Sequence, residues 1–463
     1  MLHFFHTSDW HLGQFFYNHS RHYEHDCFLN WLLEQLREHQ PDALLIAGDI
    51  FDVVNPSTAA LKQLNRFIAQ AQAQVSHLQI LMIAGNHDSG HRLEQVEPLL
   101  TKYNTHVIGL IEWQDDNTLN FDKLLRPIHN AKGEICAWCI ALPYLRPAEI
   151  TGNGQDYQQT AQATEALYQQ LIDEARRRKT KDQSLVLMTH AHMQGGSSSD
   201  SERPIVVGNA EALSTQLFHE DIQYVALGHL HKPQRIEHDH IRYSGSPIPL
   251  SFSEVNYKHQ IVKVQLRPRT PAVIQPLLVP RRVPLFKIKG TLDDVLQKTR
   301  TLEASNPLPL AQQAFVDIEY YSDTPPPPDF RQQIEAALPQ DNYRLVRLSR
   351  MAKPQAQLTT SDTATAAMPV APPTPTELFQ QLWQKLGFVE DAKVLKDFEQ
   401  LSMQAEHLDD QENVPSINNH SSKNQAINGQ PINNQASKEQ AIKEPALQDQ
   451  FQSVKTILPP DTI

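Results

Sequence analysis

Five short apolar runs along this chain each end directly in histidine, aspartate or asparagine, and this repeated junction constrains the fold more than any other feature. Asp9-Trp10-His11 follows the run Leu2 to Thr7, Gly48-Asp49 follows Ala43 to Ala47, and Gly85-Asn86-His87-Asp88 follows Gln79 to Ala84. His190 follows Ser184 to Thr189, and Gly228-His229-Leu230-His231 follows Gln223 to Leu227. Short apolar runs bounded by polar residues read as buried strands, and two more are expected at Ile135 to Leu142 and Ile241 to Ser244. Tyr23 to Glu38 and Ser57 to Ala73 carry apolar residues at helical spacing, with Ser57 placed to cap the second helix. The alternation belongs to βαβ units rather than to a helical bundle. Open α/β sheets place their sites beyond the strand ends, so the junction residues are candidates for a single centre.

The residue types at these junctions are ligands for metal ions. Asp9 and His11 stand two apart, as do His229 and His231, and in extended backbone such a pair projects to one side. Gly48, Gly85 and Gly228 let the chain turn and keep bulk away from whatever lies between the loops. Asp9, Asp49, Asn86, His11, His190, His229 and His231 together offer two carboxylates, one amide and four imidazoles, more than a single ion needs beside its waters. With Asp49 shared, each of two ions receives four of these groups, and two carboxylates against two divalent cations leave a net positive site, a trap for phosphate. Imidazole mixed with carboxylate and without cysteine suits Mn, Fe, Co or Zn better than Ca or Mg. Two ions about 3.5–4 Å apart activate a water and clamp the attacking and leaving oxygens of an in-line phosphoryl displacement. The expected reaction is hydrolysis of a phosphate ester, with His87, between Asn86 and Asp88, as transition-state stabiliser and general acid for the leaving oxygen.

The strings His6-Thr7-Ser8-Asp9-Trp10-His11-Leu12-Gly13, Ala47-Gly48-Asp49-Ile50-Phe51-Asp52 and Ala226-Leu227-Gly228-His229-Leu230-His231, with Tyr243 to Phe252, resemble the calcineurin-like metallophosphoesterases. Among these they are most similar to the nuclease subunits of bacterial double-strand-break repair complexes. The resemblance covers about residues 1 to 260 closely and 283 to 350 loosely, and stops short of the tail. It implies that Asp9, His11, Asp49 and His231 hold one ion, that Asp49, Asn86, His190 and His229 hold the other, and that His87 is the catalytic histidine. Either His190 or His192 could serve; His190, directly after the strand, is preferred. The resemblance further implies two manganese ions, double-strand exonuclease and single-strand or hairpin endonuclease activity, an ATPase partner with long coiled-coil arms, and a homodimer within a heterotetramer. A phosphatase of the same superfamily is the alternative enzyme; there the second motif continues into Asp-Arg-Gly, whereas here Val53 and Val54 follow Asp52. A non-catalytic scaffold is a further alternative, disfavoured because every ligand and His87 are present.

The expected fold is α/β: a two-layered sheet sandwich flanked by helices over 1–280, followed by a small α/β capping domain over 281–354. In the latter, strands at Val283 to Lys289, Ala314 to Tyr320 and Tyr343 to Leu348 alternate with helices at Leu292 to Leu302 and Asp329 to Leu338. Residues 355–375 read as a linker rich in Ala, Thr and Pro. Thr376 to Leu386 and Asp391 to Met403 read as two amphipathic helices with apolar stripes that would dock on a partner. The Asn- and Gln-rich stretch 405–463 cannot support a core and reads as disordered. Cys136-x-x-Cys139 lies inside an apolar run and reads as structural, and Arg176-Arg177-Arg178-Lys179 as a solvated helix end. Three cysteines fit a reducing compartment. With no leader-like N-terminus and no apolar run of the ~18 residues a membrane span needs, the expectation is a soluble cytoplasmic protein. A net charge of −12 argues against DNA binding by bulk electrostatics, so any nucleic-acid contact is expected to be local or shared with a partner.

Overall fold

The computed structural model describes residues 1–114, 118–146, 149–150, 157–202, 212–218, 221–322 and 325–351, together with Phe379, Trp383, Val394, Leu395 and Phe398. The chain divides into two compact units, Met1–Gln357 and Leu358–Ile463.

In the first unit, the runs read as strands form the centres of two six-stranded sheets. One sheet has the order Val273–Leu278, Gln260–Leu266, Leu2–Thr7, Ala43–Ala47, Gln79–Ile83, Thr105–Ile108. Its last four strands are parallel, and Gln260–Leu266 joins antiparallel to Leu2–Thr7. The other sheet runs Gln234–Ile236, His238–Tyr243, Tyr224–Gly228, Ser184–His190, Ile135–Leu142, Leu125–His129, with four parallel strands between two antiparallel edges.

Side-chain alternation explains why the sheets stack. Phe4, Leu45 and Leu81 of the first sheet share a core with Ile140, Val186 and Val225 of the second. Their sequence neighbours Phe5, Leu44, Ile46, Ile80 and Met82 point the other way, into a core with the helices His22–His39 and Thr58–Gln74. These strands are therefore buried on both faces, which is why they read as continuous apolar runs. Each fully buried aliphatic or aromatic side chain contributes about 1.5–3 kcal/mol. The Ser57 hydroxyl accepts from Ala60 N–H and caps the second helix.

Helix Tyr157–Arg178 ends in the arginine run, and each arginine is ion-paired: Arg176 with Asp173 and Asp221, Arg177 with Glu174, Arg178 with Glu174 and Asp122. Cys136 is half-buried and Cys139 buried in strand Ile135–Leu142, and burial pushes both thiols up. Three residues apart on a strand, they face opposite sides.

Residues 285–351 form a three-stranded parallel sheet, Leu285–Thr291, Ala314–Tyr321, Tyr343–Met351, with helices Leu292–Arg300 and Phe330–Ala337. In the second unit the five described residues are helical, and the Phe379 ring stacks on Phe398 at 4.1 Å, one from each of the two helices read in the sequence. The rest of those helices, the linker and the tail 405–463 lie outside the described residues.

A buried histidine is among the polar contacts that cross between the stacked sheets. His6, fully buried, has Nε2 3.2 Å from the carbonyl of Leu227 and Nδ1 3.0 Å from the hydroxyl of Tyr224. The carbonyl only accepts, so Nε2–H donates to it, and Nδ1 of the neutral ring accepts from the tyrosine. Burial lowers the pKa of His6 from 6.5 to about 3. Between these values the unfolded chain binds the extra proton, so stability falls as pH is lowered, with a slope approaching about 1.4 kcal/mol per pH unit for this one group. We expect His6→Leu to be less stable than the parent by about 1–3 kcal/mol at pH 7.5 in urea unfolding of the metal-free chain. The difference should shrink at pH 5; a constant difference would show that the folded ring titrates as the unfolded one does.

Candidate metal centre

The five strand ends converge on one point. Ligand atoms of Asp9, His11 and His231 lie within 4.8 Å of one another, and so do those of Asp9, Asp49 and His190. Asp49 Oδ2 stands 3.5 Å from His11 Nε2 and 3.4 Å from His190 Nε2. Asn86 Oδ1 is 2.9 Å from His190 Nε2 and 3.1 Å from His229 Nδ1. The seven residues read as ligands thus gather around Asp9, common to both of these groups, and Asp49, which lies beside both His11 and His190. His190 enters the cluster, whereas the His192 ring lies 6.1 Å from that of His229 and belongs to none of the ligand groups among the described residues.

The backbone reaches this arrangement differently from the sequence expectation. Asp9 and His11 are not extended: φ is 54° and 47°, in the left-handed region, where Asp49 at 48° also lies. His229 is at 109°. Such conformations cost energy for any side chain and are least unfavourable for Asp, Asn and His. What they gain is loop-to-loop contact. Asp9 N–H donates to Gly48 O and His11 N–H to Asp49 O, both at 3.0 Å, which lays the first loop along the second. His229 N–H donates to Asp9 Oδ1 at 2.9 Å and adds the fifth strand end. Two glycines permit the approach: a Cβ at Gly48 (φ 88°) would come 2.3 Å from His190 Nδ1, and one at Gly85 would come 2.1 Å from Asp49 Oδ1.

The outer nitrogens of three histidines are occupied, which turns the other nitrogen inward. His190 Nδ1 donates to Ala47 O at 2.8 Å, His11 Nδ1 faces Asp52 Oδ1 at 3.2 Å, and His231 Nδ1 faces Glu254 Oε1 at 3.1 Å. His11 Nε2 is buried without a hydrogen-bond partner. An orphaned imidazole nitrogen among carboxylate oxygens fits a divalent cation, and so does the imidazole, carboxylate and amide donor set.

Charge tells the same story. Burial would raise the Asp49 carboxyl, but His190, His11 and His87 hold it well below its ordinary value. Burial opposes charge on His190, yet Asp49 holds its pKa up at about 9. Burial likewise opposes charge on His231, where Glu254 wins and the value is again about 9. Burial and the neighbouring His190 push His229 well down, and burial raises Asp9. Carboxylate and imidazole thus favour each other's charged forms in the pairs Asp49–His190 and Glu254–His231.

His87 is buried beside His11, with which it and Asp52 form a third group of close-set ligand atoms, and has its backbone N–H on Asp49 Oδ1 and its ring Nδ1 2.8 Å from the carbonyl of Asp52. Three supporting residues escaped the sequence reading. Asp52 faces His11; Glu254 faces His231; Asp88 accepts backbone N–H groups from Ile50, Phe51 and Gly85 at 2.9–3.0 Å. Asp52 and Asp88 stand inside the strings singled out, and their place beside ligands was the available signal. Glu254 has no such local signal, since it meets His231 only through the fold.

A family model described as calcineurin-like phosphoesterase matches residues 2–233, and one described as type 5 capsule protein repressor C-terminal domain matches residues 281–386. The SbcD subunit of nuclease SbcCD from Rhodobacter capsulatus is 36% identical over 288 residues, 61% of this chain and 70% of that protein. Its counterpart from Escherichia coli K12 is 34% identical over 326 residues, 69% and 78% of the two chains. The Bacillus subtilis counterpart is 34% identical over 292 residues, 62% and 71%. No helix among the described residues is long and apolar enough to cross a membrane.

Asp88 is the stitch between the second and third loops. Burial and the charge of Asp49 push its carboxyl up to about 6 against three backbone donors. Asp88→Asn presents a donor to one of those N–H groups and should cost about 1–3 kcal/mol in urea unfolding. Unchanged stability would show that the three contacts are not formed together.

Proposed function

The chain belongs to the calcineurin-like phosphoesterases, with the SbcD nuclease subunits, and from that premise we propose that it is the metal-dependent nuclease of an SbcCD-like complex, acting on DNA ends and hairpins. It is a phosphoesterase hydrolase that uses divalent metal. We read the activity as double-strand exonuclease and single-strand or hairpin endonuclease, serving DNA repair and recombination. The observation that carries the two-cation reading is Asp49 Oδ2, at 3.5 and 3.4 Å from inward-facing nitrogens of His11 and His190.

Asp9, His11, Asp49 and His231 would hold one cation, and Asp49, Asn86, His190 and His229 the other, manganese being the favoured metal. Such a pair, when bound, supplies Lewis acidity toward a phosphate and a water of lowered pKa. The chain's own residues supply orientation and protons. His87 Nδ1 is committed to the Asp52 carbonyl, so proton transfer to the leaving oxygen falls to Nε2. The Asp49 contact to the His87 backbone N–H ties that ring to the metal loops. The acidic chain, at −12, leaves much of the phosphate neutralisation to an SbcC-like coiled-coil ATPase. The helices at 376–404 are the proposed docking element for that ATPase, within a heterotetramer containing two copies of this chain, in the cytoplasm and on the nucleoid.

The full chain, alone and with its ATPase, should cleave duplex ends and hairpins in manganese and lose that activity in chelator. Two variants separate the roles at the centre. Asp49→Ala should lose bound manganese and cleavage together. His87→Gln keeps every proposed ligand, so it should retain metal and DNA affinity while single-turnover cleavage falls by ~10²–10⁴. Loss of an ion in His87→Gln would make that histidine a ligand. Cleavage at the parental rate would assign the proton to another donor.

A further inference from the structure

Glu254 is fully buried at the end of the short turn Phe252–Glu254, just after the string Tyr243 to Phe252, and none of the roles above uses it except as a neighbour of His231. Its carboxylate is unusually well occupied. Oε1 accepts from Ser201 Oγ, lies 2.8 Å from Ser199 Oγ, and faces His231 Nδ1 at 3.1 Å. Oε2 accepts from Leu250 N–H at 2.8 Å and from Ser246 Oγ at 3.4 Å. One side chain therefore joins a metal-facing histidine to two separate segments of chain. Glu202 completes the clamp by accepting the backbone N–H of His231 at 2.8 Å.

The two ligand groups are not supported alike. His190, in the group with Asn86 and His229, rests its outer nitrogen on a neutral carbonyl, that of Ala47. His231 and His11, in the group with Asp9, rest theirs on the carboxylates of Glu254 and Asp52. An acceptor-only carboxylate fixes the proton on Nδ1, leaves the Nε2 lone pair for the centre, and makes the imidazole a stronger donor. The Ser201 hydroxyl, donating to Glu254, turns its own oxygen toward His231 Nδ1 at 2.7 Å and narrows the ring's freedom further.

We propose that Glu254 is a positioning residue that sets the affinity of one metal position, the one built by Asp9, His11 and His231, and leaves the other nearly untouched. This rests on the two-cation reading, and the test keeps the two apart. Manganese is titrated by calorimetry into the metal-free full-length parent and into Glu254→Gln, which preserves the shape and can still accept from Leu250 but removes the charge. The parent should show two binding events. In Glu254→Gln one event should weaken by about 10–100-fold while the other stays within about twofold.

Equal affinities in parent and variant, or equal weakening of both events with a large drop in melting temperature, would overturn the inference and leave Glu254 a purely structural anchor. A parent that binds a single ion would contradict the two-cation reading instead. Glu254 would then be judged by whether that one ion weakens. If the Gln variant does not fold, Glu254→Asp carries the test, because it keeps the charge and withdraws it from His231. One weakened event of two is again the expected result, and no change the contradicting one.

Discussion

A carboxylate removed from water persists only beside positive charge or directed hydrogen donors, and Asp9, Asp49, Asp88 and Glu254 are all buried around one point of this fold. Each finds a partner on a different loop. Asp9 takes the backbone N–H of His229, Asp49 that of His87, Asp88 those of Ile50 and Phe51, and Glu254 the hydroxyl of Ser201. Every buried charge is therefore also a cross-link between strand ends, and the left-handed backbone at Asp9, His11, Asp49 and His229 is the conformational cost of bringing the loops that close. What remains unmatched is inward: His11 Nε2 without a hydrogen-bond partner, facing the Asp49 carboxylate at 3.5 Å. Divalent cations answer that remainder.

The surrounding architecture holds the same loops from outside. Trp10, between two predicted ligands, buries its ring against Phe28 and Phe67 of the helical layer and donates its indole N–H to Thr7 Oγ1 at 2.9 Å. His6 ties the strand leading into Asp9 to the strand leading into His229. Further along, Phe16 sits 5.2 Å from Phe252 and 5.0 Å from Phe315, so the three-stranded sheet leans on a hairpin that follows His11 and on the turn that carries Glu254. Arg21 and Arg344 bracket the Phe315 ring, with centroid distances of 5.6 and 3.9 Å, and Glu24 pairs with Arg21. In the central strand of that sheet Val316, Ile318 and Tyr320 face the helices, while Asp317 and Glu319 meet Lys287 and Arg347 on the other face.

Much of this was legible because burial on both faces makes a strand an unbroken apolar run. Leu2–Thr7, Ala43–Ala47 and Ile135–Leu142 end where the sequence places them, and the residues just beyond the first two join the cluster. The antiparallel strand Gln260–Leu266 was not legible, since its alternating Lys263 and Gln265 resemble a surface segment and its pairing with Leu2–Thr7 joins residues far apart in the chain. Val273–Leu278 carries Pro276 and a largely exposed face, which argues against a strand until the edge position is known. At the centre, spacing identified the residues that gather but could not supply their backbone conformation. The pair Asp9-x-His11 converges through left-handed turns and not through extended chain. Glu254 was invisible because a lone carboxylate acquires meaning only from the histidine the fold brings to it.

The central claim is that Asp49 sits between two cations. Diffraction from crystals grown with manganese, measured at a wavelength where manganese scatters anomalously, tests it without reference to turnover. The account predicts two anomalous peaks about 3.5–4 Å apart, with the Asp49 carboxylate touching both, His11 on one and His190 on the other. A single peak, or a pair to which Asp49 does not contribute, would contradict it.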